Sequence, residues 1–237
     1  LTGILEVIVL TTLAGSTIPI GGFLAKIEQI HPHWLEEEFR HSIIAFGGGV
    51  LLAAVALVLV PVGIEEMHPL TAAGGILIGG ICFMYIDQML ATHQNSASQM
   101  LAMLLDFVPE SLALGATFAN GGSVGMLLAI LIGLQNLPEG FNAYRELRTS
   151  ETMKQHMILP GFCLLVLLGP LSGLIGYYLL SQVPQLVGMT MLFAAGGILY
   201  LTFQDIAPQA KLERRWAPAL GAVLGFIFGL IAQMVVA

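Results

Sequence analysis

Residues 97–145 read ASQMLAMLLDFVPESLALGATFANGGSVGMLLAILIGLQNLPEGFNAYR. They form two apolar runs of about membrane-crossing length, back to back across the short polar break Asn120-Gly121-Gly122-Ser123. So short a break makes the two runs antiparallel neighbours. Each run carries an acidic residue directly after a proline, in Pro109-Glu110 and Pro138-Glu139. A mid-helix proline removes one backbone hydrogen bond and kinks the helix. In a membrane such breaks commonly build transport sites.

The rest of the chain has the same character. Of its 237 residues 57% are hydrophobic and 10% charged, and the mean hydropathy is +0.88. Soluble domains carry roughly 25% charged residues. A soluble core has no room for this much apolar surface, so lipid must be the solvent. Apolar runs predict eight helices, near 3–25, 42–64, 70–91, 97–119, 122–145, 157–181, 184–208 and 216–237. The expected fold is thus an all-α integral membrane protein, one transmembrane domain over 1–237. The first run is longer than the apolar part of a signal peptide and reads as a span. No break is long enough for a soluble domain.

The eight Lys and Arg residues orient the bundle. Lys26 and Arg40 fall between runs one and two. Arg145, Arg148 and Lys154 fall between five and six, and Lys211, Arg214 and Arg215 between seven and eight. With eight spans, all of them lie on one side. The positive-inside rule makes that side cytoplasmic and both termini extracytoplasmic.

A net charge of −7 and so few basic residues give no surface for nucleic acid. Cys82 and Cys163 lie singly inside apolar runs and form no CxxC pair. Glycines repeat at every fourth position, as Gly221, Gly225, Gly229 and as Gly75, Gly79. Such stripes let helices pack closely in lipid; the sharper reading is a sliding surface for a moving helix block.

Ionisable groups at bilayer depth cost roughly 2.5–3.5 kcal/mol each on insertion scales and are functional by default. Asp106 and Glu110 stand at i and i+4 on one helix face, and Gln135 and Glu139 repeat that spacing in the next run. Asp106 is about fourteen residues before the break and Gln135 about fourteen after it, so the pairs sit at similar depth and can face each other. No Lys or Arg accompanies them at that depth, so protons or a bound cation must neutralise them. The alternative is a proton-sharing cluster that joins two helices. For Gln135 it is an interhelical hydrogen bond. Asp205, late in run seven, is a candidate transit position beside Gln204, or a hydrated helix end. Asp87 and Gln88 read as a solvated end of run three. Glu36-Glu37-Glu38, beside His31 and His33, reads as a solvated loop. The remaining histidines, His41, His68, His93 and His156, also lie away from mid-membrane depth.

The segment Gln135-Asn136-Leu137-Pro138-Glu139-Gly140 resembles the fifth-helix signature of the bacterial GufA-like branch of the ZIP zinc/iron transporter family. Asp106-Phe107-Val108-Pro109-Glu110-Ser111 resembles the fourth-helix signature, usually His-Asn-x-Pro-Glu-Gly. Gln204-Asp205-Ile206-Ala207-Pro208 resembles a His-Glu-x-x-Pro pattern in the seventh helix. The resemblance implies eight spans with both termini outside, a homodimer in the cell membrane, and an elevator-like motion of a block containing spans four and five. It implies inward transport of Zn2+ or a similar ion (Mn2+, Fe2+, Cd2+). The metal is then the substrate rather than a resident cofactor.

The chain departs from that pattern. Asp106 stands for a ligand histidine, and Phe107 for an asparagine that normally helps hold a second metal. Gly169 precedes Pro170 where many relatives carry a glutamate, and Gln204 replaces another histidine. The expected site is therefore one metal held by Asp106, Glu110, Gln135 and Glu139, with Asn136 as an extra ligand. All these donors are oxygen. Zinc prefers nitrogen and sulfur donors, though carboxylates bind it; manganese suits an oxygen site better. Three carboxylates around a divalent ion leave a surplus negative charge, so metal entry is expected to expel a proton. The rival reading is a non-transporting ZIP-like membrane scaffold or metal sensor with a degenerate site. No HExxH motif, serine–histidine pair or P-loop points to an enzyme or an ATP-driven pump.

Overall fold

The structure, a computed structural model, describes residues 2–28, 33–65, 67–92, 96–119, 123–149, 153–213 and 215–236. Among the described residues every regular element is helical. The chain runs through α1 (Thr2–Ile27), α2 (His33–Ala54), a π turn (Val55–Leu59) and α3 (Val60–Ile64). Next come α4 (Pro69–Ala91), α5 (Ser96–Ala119) and α6 (Ser123–Thr149). Then follow α7 (Gln155–Val166), α8 (Leu168–Ile175) and a second π turn (Gly176–Leu180). Last are α9 (Pro184–Leu201), a third π turn (Thr202–Ile206), α10 (Ala207–Ala210) and α11 (Ala217–Val236).

Among the described residues seven helical stretches are long and apolar enough to cross a membrane: Gly3–Ile27, Glu36–Ile64, Pro69–Leu90, Val124–Thr149, Gln155–Leu180, Pro184–Ala210 and Ala217–Val236. The protein is a multi-pass membrane protein. The fourth expected run, α5, is not among the seven. It is a 24-residue helix, about 36 Å long at 1.5 Å per residue, and it packs in the same bundle against α6, α8 and α9.

One expectation needs correction. Glu36-Glu37-Glu38 is helix, not loop, because α2 begins at His33. Arg145 from α6 ion-pairs with both Glu36 and Glu28, and its guanidinium lies over the Phe141 ring. That partner supplies the reason the acidic run is held in a helix. His31 and His93 lie outside the described residues.

The bundle is assembled by close glycine crossings. A Cβ on Gly140 of α6 would collide with the Ile18 carbonyl oxygen of α1, and one on Gly21 of α1 with the Leu137 carbonyl oxygen of α6. The contact is reciprocal, so neither backbone tolerates a side chain at the crossing. The same reciprocal arrangement joins α2 to α11 through Gly49 and Gly225, and α4 to α9 through Gly79 and Gly196. The glycine stripes are therefore contact seams. Without a hydrophobic driving force between helices in lipid, this close approach gains dispersion and Cα–H···O contacts instead. The α1–α6 crossing lies at the second Pro-Glu segment, because Leu137 and Gly140 flank Pro138-Glu139.

Candidate metal centre

Helices α5 and α6 continue through Pro109 and Pro138 respectively. Proline has no N–H to give the carbonyl four residues back, so the Leu105 and Leu134 carbonyls lose that helical partner. Between the two helices the side chains of Glu110 and Gln135 meet. Glu110 is 1% exposed and Gln135 2%. The Gln135 Nε2 donates to both Glu110 carboxylate oxygens, at 2.7 and 2.6 Å. The two motif segments thus join at their polar residues, as matched depth predicts. Glu139 is half-buried one turn along α6 from Gln135 and has an interaction of its own. Asp106 lies on α5, four residues before Glu110; its side chain is outside the described residues.

Asn136 points elsewhere. It is fully buried, and its Nδ2 donates to the Ala14 carbonyl of α1 at 3.1 Å. The involvement of α1 was not legible from the motifs. Its only sequence signal was the small-residue spacing of Ala14, Gly15 and Gly21.

Both amides spend their N–H groups on acceptors, and their carbonyl oxygens are left over. Gln135 Oε1 and Asn136 Oδ1 are buried without a hydrogen-bond partner. A buried acceptor without a donor is costly and rare. A proton donor or a cation is what satisfies it, so the donor chemistry fits a hard or borderline divalent ion. Among the described residues no group of three His, Cys, Asp or Glu is close enough to hold a metal.

Phe107 lies three residues before Glu110 on α5. Its side chain is 1% exposed. The tip of the ring, Cζ, lies 2.7 Å from where a Gly15 Cβ would be and 2.6 Å from where a Gly169 Cβ would be. The ring is seated between two glycines, from α1 and α8. A side chain at position 169 would therefore require the Phe107 ring to shift.

On the basic side of Glu139, Asn142 Nδ2 donates to Gln209 Oε1 of α10 at 3.3 Å. Asp205 is half-buried and feels the charges of Asp87 and Glu146. Gln204 beside it is exposed. Asp87, expected as a solvated end, accepts a hydrogen bond from the Tyr200 hydroxyl at 2.9 Å. The described histidines lie away from the pair: His41 Nδ1 bonds the Glu37 carbonyl, and His68 caps α4 through the Leu70 N–H.

No protein-family model matches the chain. It is 30% identical over 184 residues to the zinc transporter GufA of Myxococcus xanthus, an alignment covering 70% of this chain and 71% of that protein. With the paired Pro-Glu segments meeting inside a helical membrane bundle, this likeness makes the chain a divergent, GufA-like member of the ZIP family.

Proposed function

We propose that this protein carries a divalent metal ion across the cell membrane into the cytoplasm, one ion at a time, through the contact between α5 and α6. The observation that carries the reading is the buried Glu110–Gln135 pair with an unpartnered amide carbonyl at its edge. An arriving cation would take the Gln135 carbonyl and the Glu110 and Glu139 carboxylates, with Asp106 completing the set. Asn136 would turn its free carbonyl inward or hold α1 in place. The Phe107 ring beside Gly169 supports a single-ion centre. Gln204 and Asp205, near Asp87 and Glu146, would form the transit route on the basic side. The reading includes α5 as an eighth span, both termini extracytoplasmic, a homodimer, and an elevator-like movement of the block holding α5 and α6.

The test is uptake of Zn2+, Mn2+, Fe2+ and Cd2+ into proteoliposomes, beside Glu139→Ala. Saturable uptake abolished by the substitution is the expected result, and the preferred ion reports how far the oxygen-only donor set has moved from zinc. No uptake of any ion by folded protein sinks the transport reading. A second expectation concerns protons. Ligand carboxylates must be deprotonated to bind, so Zn2+ binding to detergent-solubilised protein in weak buffer should release about one proton per ion, read by a pH dye. Binding without any release would show that the carboxylates are already ionised.

The lack of a three-residue His/Cys/Asp/Glu cluster among the described residues favours a second reading, a scaffold or sensor that binds metal without moving it. Metal binding with no uptake would select it.

A further inference from the structure

An apolar groove of about 570 Å3 opens between the ends of α1, α2, α6 and α11. That volume is within the roughly 300–1,000 Å3 of small-molecule pockets. Its floor includes Leu137 and Pro138, on the helix that carries Glu139, and its walls include Ile43 and Phe46. Leu24, Ile27, Phe39 and Leu224 form its edges and are 42%, 55%, 43% and 52% exposed. The groove therefore opens sideways, toward what surrounds the bundle. Its polar lining is small: Ser42 donates to the Glu38 carbonyl at 2.7 Å, and Glu28 is paired with Arg145 through one carboxylate oxygen, the other being buried without a hydrogen-bond partner.

We propose that this groove seats one acyl chain of a phospholipid from the leaflet on the basic side, with the lipid phosphate at Lys26 and Arg40. Water is poorly held in a slot with so few polar partners, whereas hydrocarbon is the local solvent and enters it without losing any solvation. The rim supplies the headgroup contact. Lys26 is exposed on α1 beside the edge residue Ile27. Arg40 stands next to the edge residue Phe39 and one turn before Ile43, and its buried Nε has no hydrogen-bond partner. The acidic neighbours Glu36 and Glu38 face Arg145 and Arg215, and Lys26 and Arg40 make no ion pair with another described residue. Long basic side chains at a helix end reach toward the headgroup layer in this way. A second copy of the chain is the rival occupant, but it would have to present a ridge to a concave slot rimmed by cations. The bound chain would press on Leu137-Pro138, which ties a lipid to the helix bearing the proposed metal ligands.

The proposal is tested by native mass spectrometry of delipidated protein in detergent, with palmitoyl-oleoyl phosphatidylglycerol or a diacylglycerol of the same chains added. One phosphatidylglycerol retained per chain is expected, with diacylglycerol held at least tenfold more weakly. Ile43→Trp, which fills the slot, should lower retention about tenfold. Leu224→Trp, at an exposed edge and without risk to the core, should lower it too. Lys26→Gln with Arg40→Gln should remove the difference between the two lipids. Undiminished retention in both tryptophan variants overturns the proposal. So does a dimer that the tryptophan variants dissociate while lipid retention stays unchanged, since that assigns the slot to a second copy. These outcomes do not depend on metal transport.

Discussion

Glu110→Gln is expected to reduce metal uptake at least 100-fold while leaving the bundle folded. The substitution keeps the shape of the side chain and its place against Gln135. An amide still accepts a hydrogen bond from the Gln135 Nε2 through its oxygen, so the interhelical contact at 2.6–2.7 Å has a neutral substitute. The variant also removes a buried carboxylate whose desolvation opposes folding, so stability should hold or rise. What disappears is the negative charge in the middle of the α5–α6 contact. A divalent ion entering a site of low dielectric needs that charge, because amide carbonyls alone do not offset the loss of its hydration. Loss of an outer partner of a metal ligand already costs about 10–100-fold in affinity, and Glu110 is proposed as a direct ligand. The measurement is initial-rate uptake in proteoliposomes, with a thermal melt in detergent as the folding control. Uptake within a few-fold of the parent would show that Glu110 is a structural, proton-carrying residue that joins two helices. A melt lowered by many degrees would show instead that the ionised carboxylate is itself a structural need.

The second large effect is one of packing. Gly140→Ala adds a single methyl, yet that methyl has no space, because the Ile18 carbonyl of α1 occupies its position. Helices α1 and α6 must separate or shift. Overpacking of this kind costs about 1–3 kcal/mol, which for a chain of this size corresponds to roughly 2–12 °C in melting temperature. Function should suffer beyond stability. The displaced turn carries Pro138 and Glu139, and Asn136 would lose its 3.1 Å bond to the Ala14 carbonyl. Gly74→Ala is the matched control, since a Cβ there meets nothing within 4 Å. It should be neutral or gain about 1 kcal/mol from helix propensity. Equal melts and equal uptake for the two variants would mean that α1 and α6 are not held at this crossing.

The limits of sequence reading are visible in individual residues. The two polar segments are set at similar depth because antiparallel helices joined by a short break share a common origin of depth; that count levels Asp106 with Gln135, whereas the structure joins Gln135 to Glu110, one turn further along α5. That argument is one-dimensional and reaches only helices adjacent in sequence. Asn136 is expected as an extra ligand because it belongs to the Gln135–Gly140 segment that resembles the family signature. The structure turns its amide toward α1, because one residue along a helix is a rotation of about 100°. Glu36 illustrates a different gap. Its partner, Arg145, is more than a hundred positions away, and no local signal marks an ion pair between the start of one helix and the end of another.

Hydrophobicity and charge placement, which are properties of local composition, determined that this chain lives in lipid, where its helices lie along the sequence, and which two segments carry the costly carboxylates. Only the tertiary structure decided which helix lies against which. Outside the α5–α6 contact the membrane helices are largely apolar on all sides, so no amphipathic stripe names a neighbour. The pairing is made instead by shape, at points such as Gly21 and Gly140, where the absence of two methyl groups lets one backbone touch another.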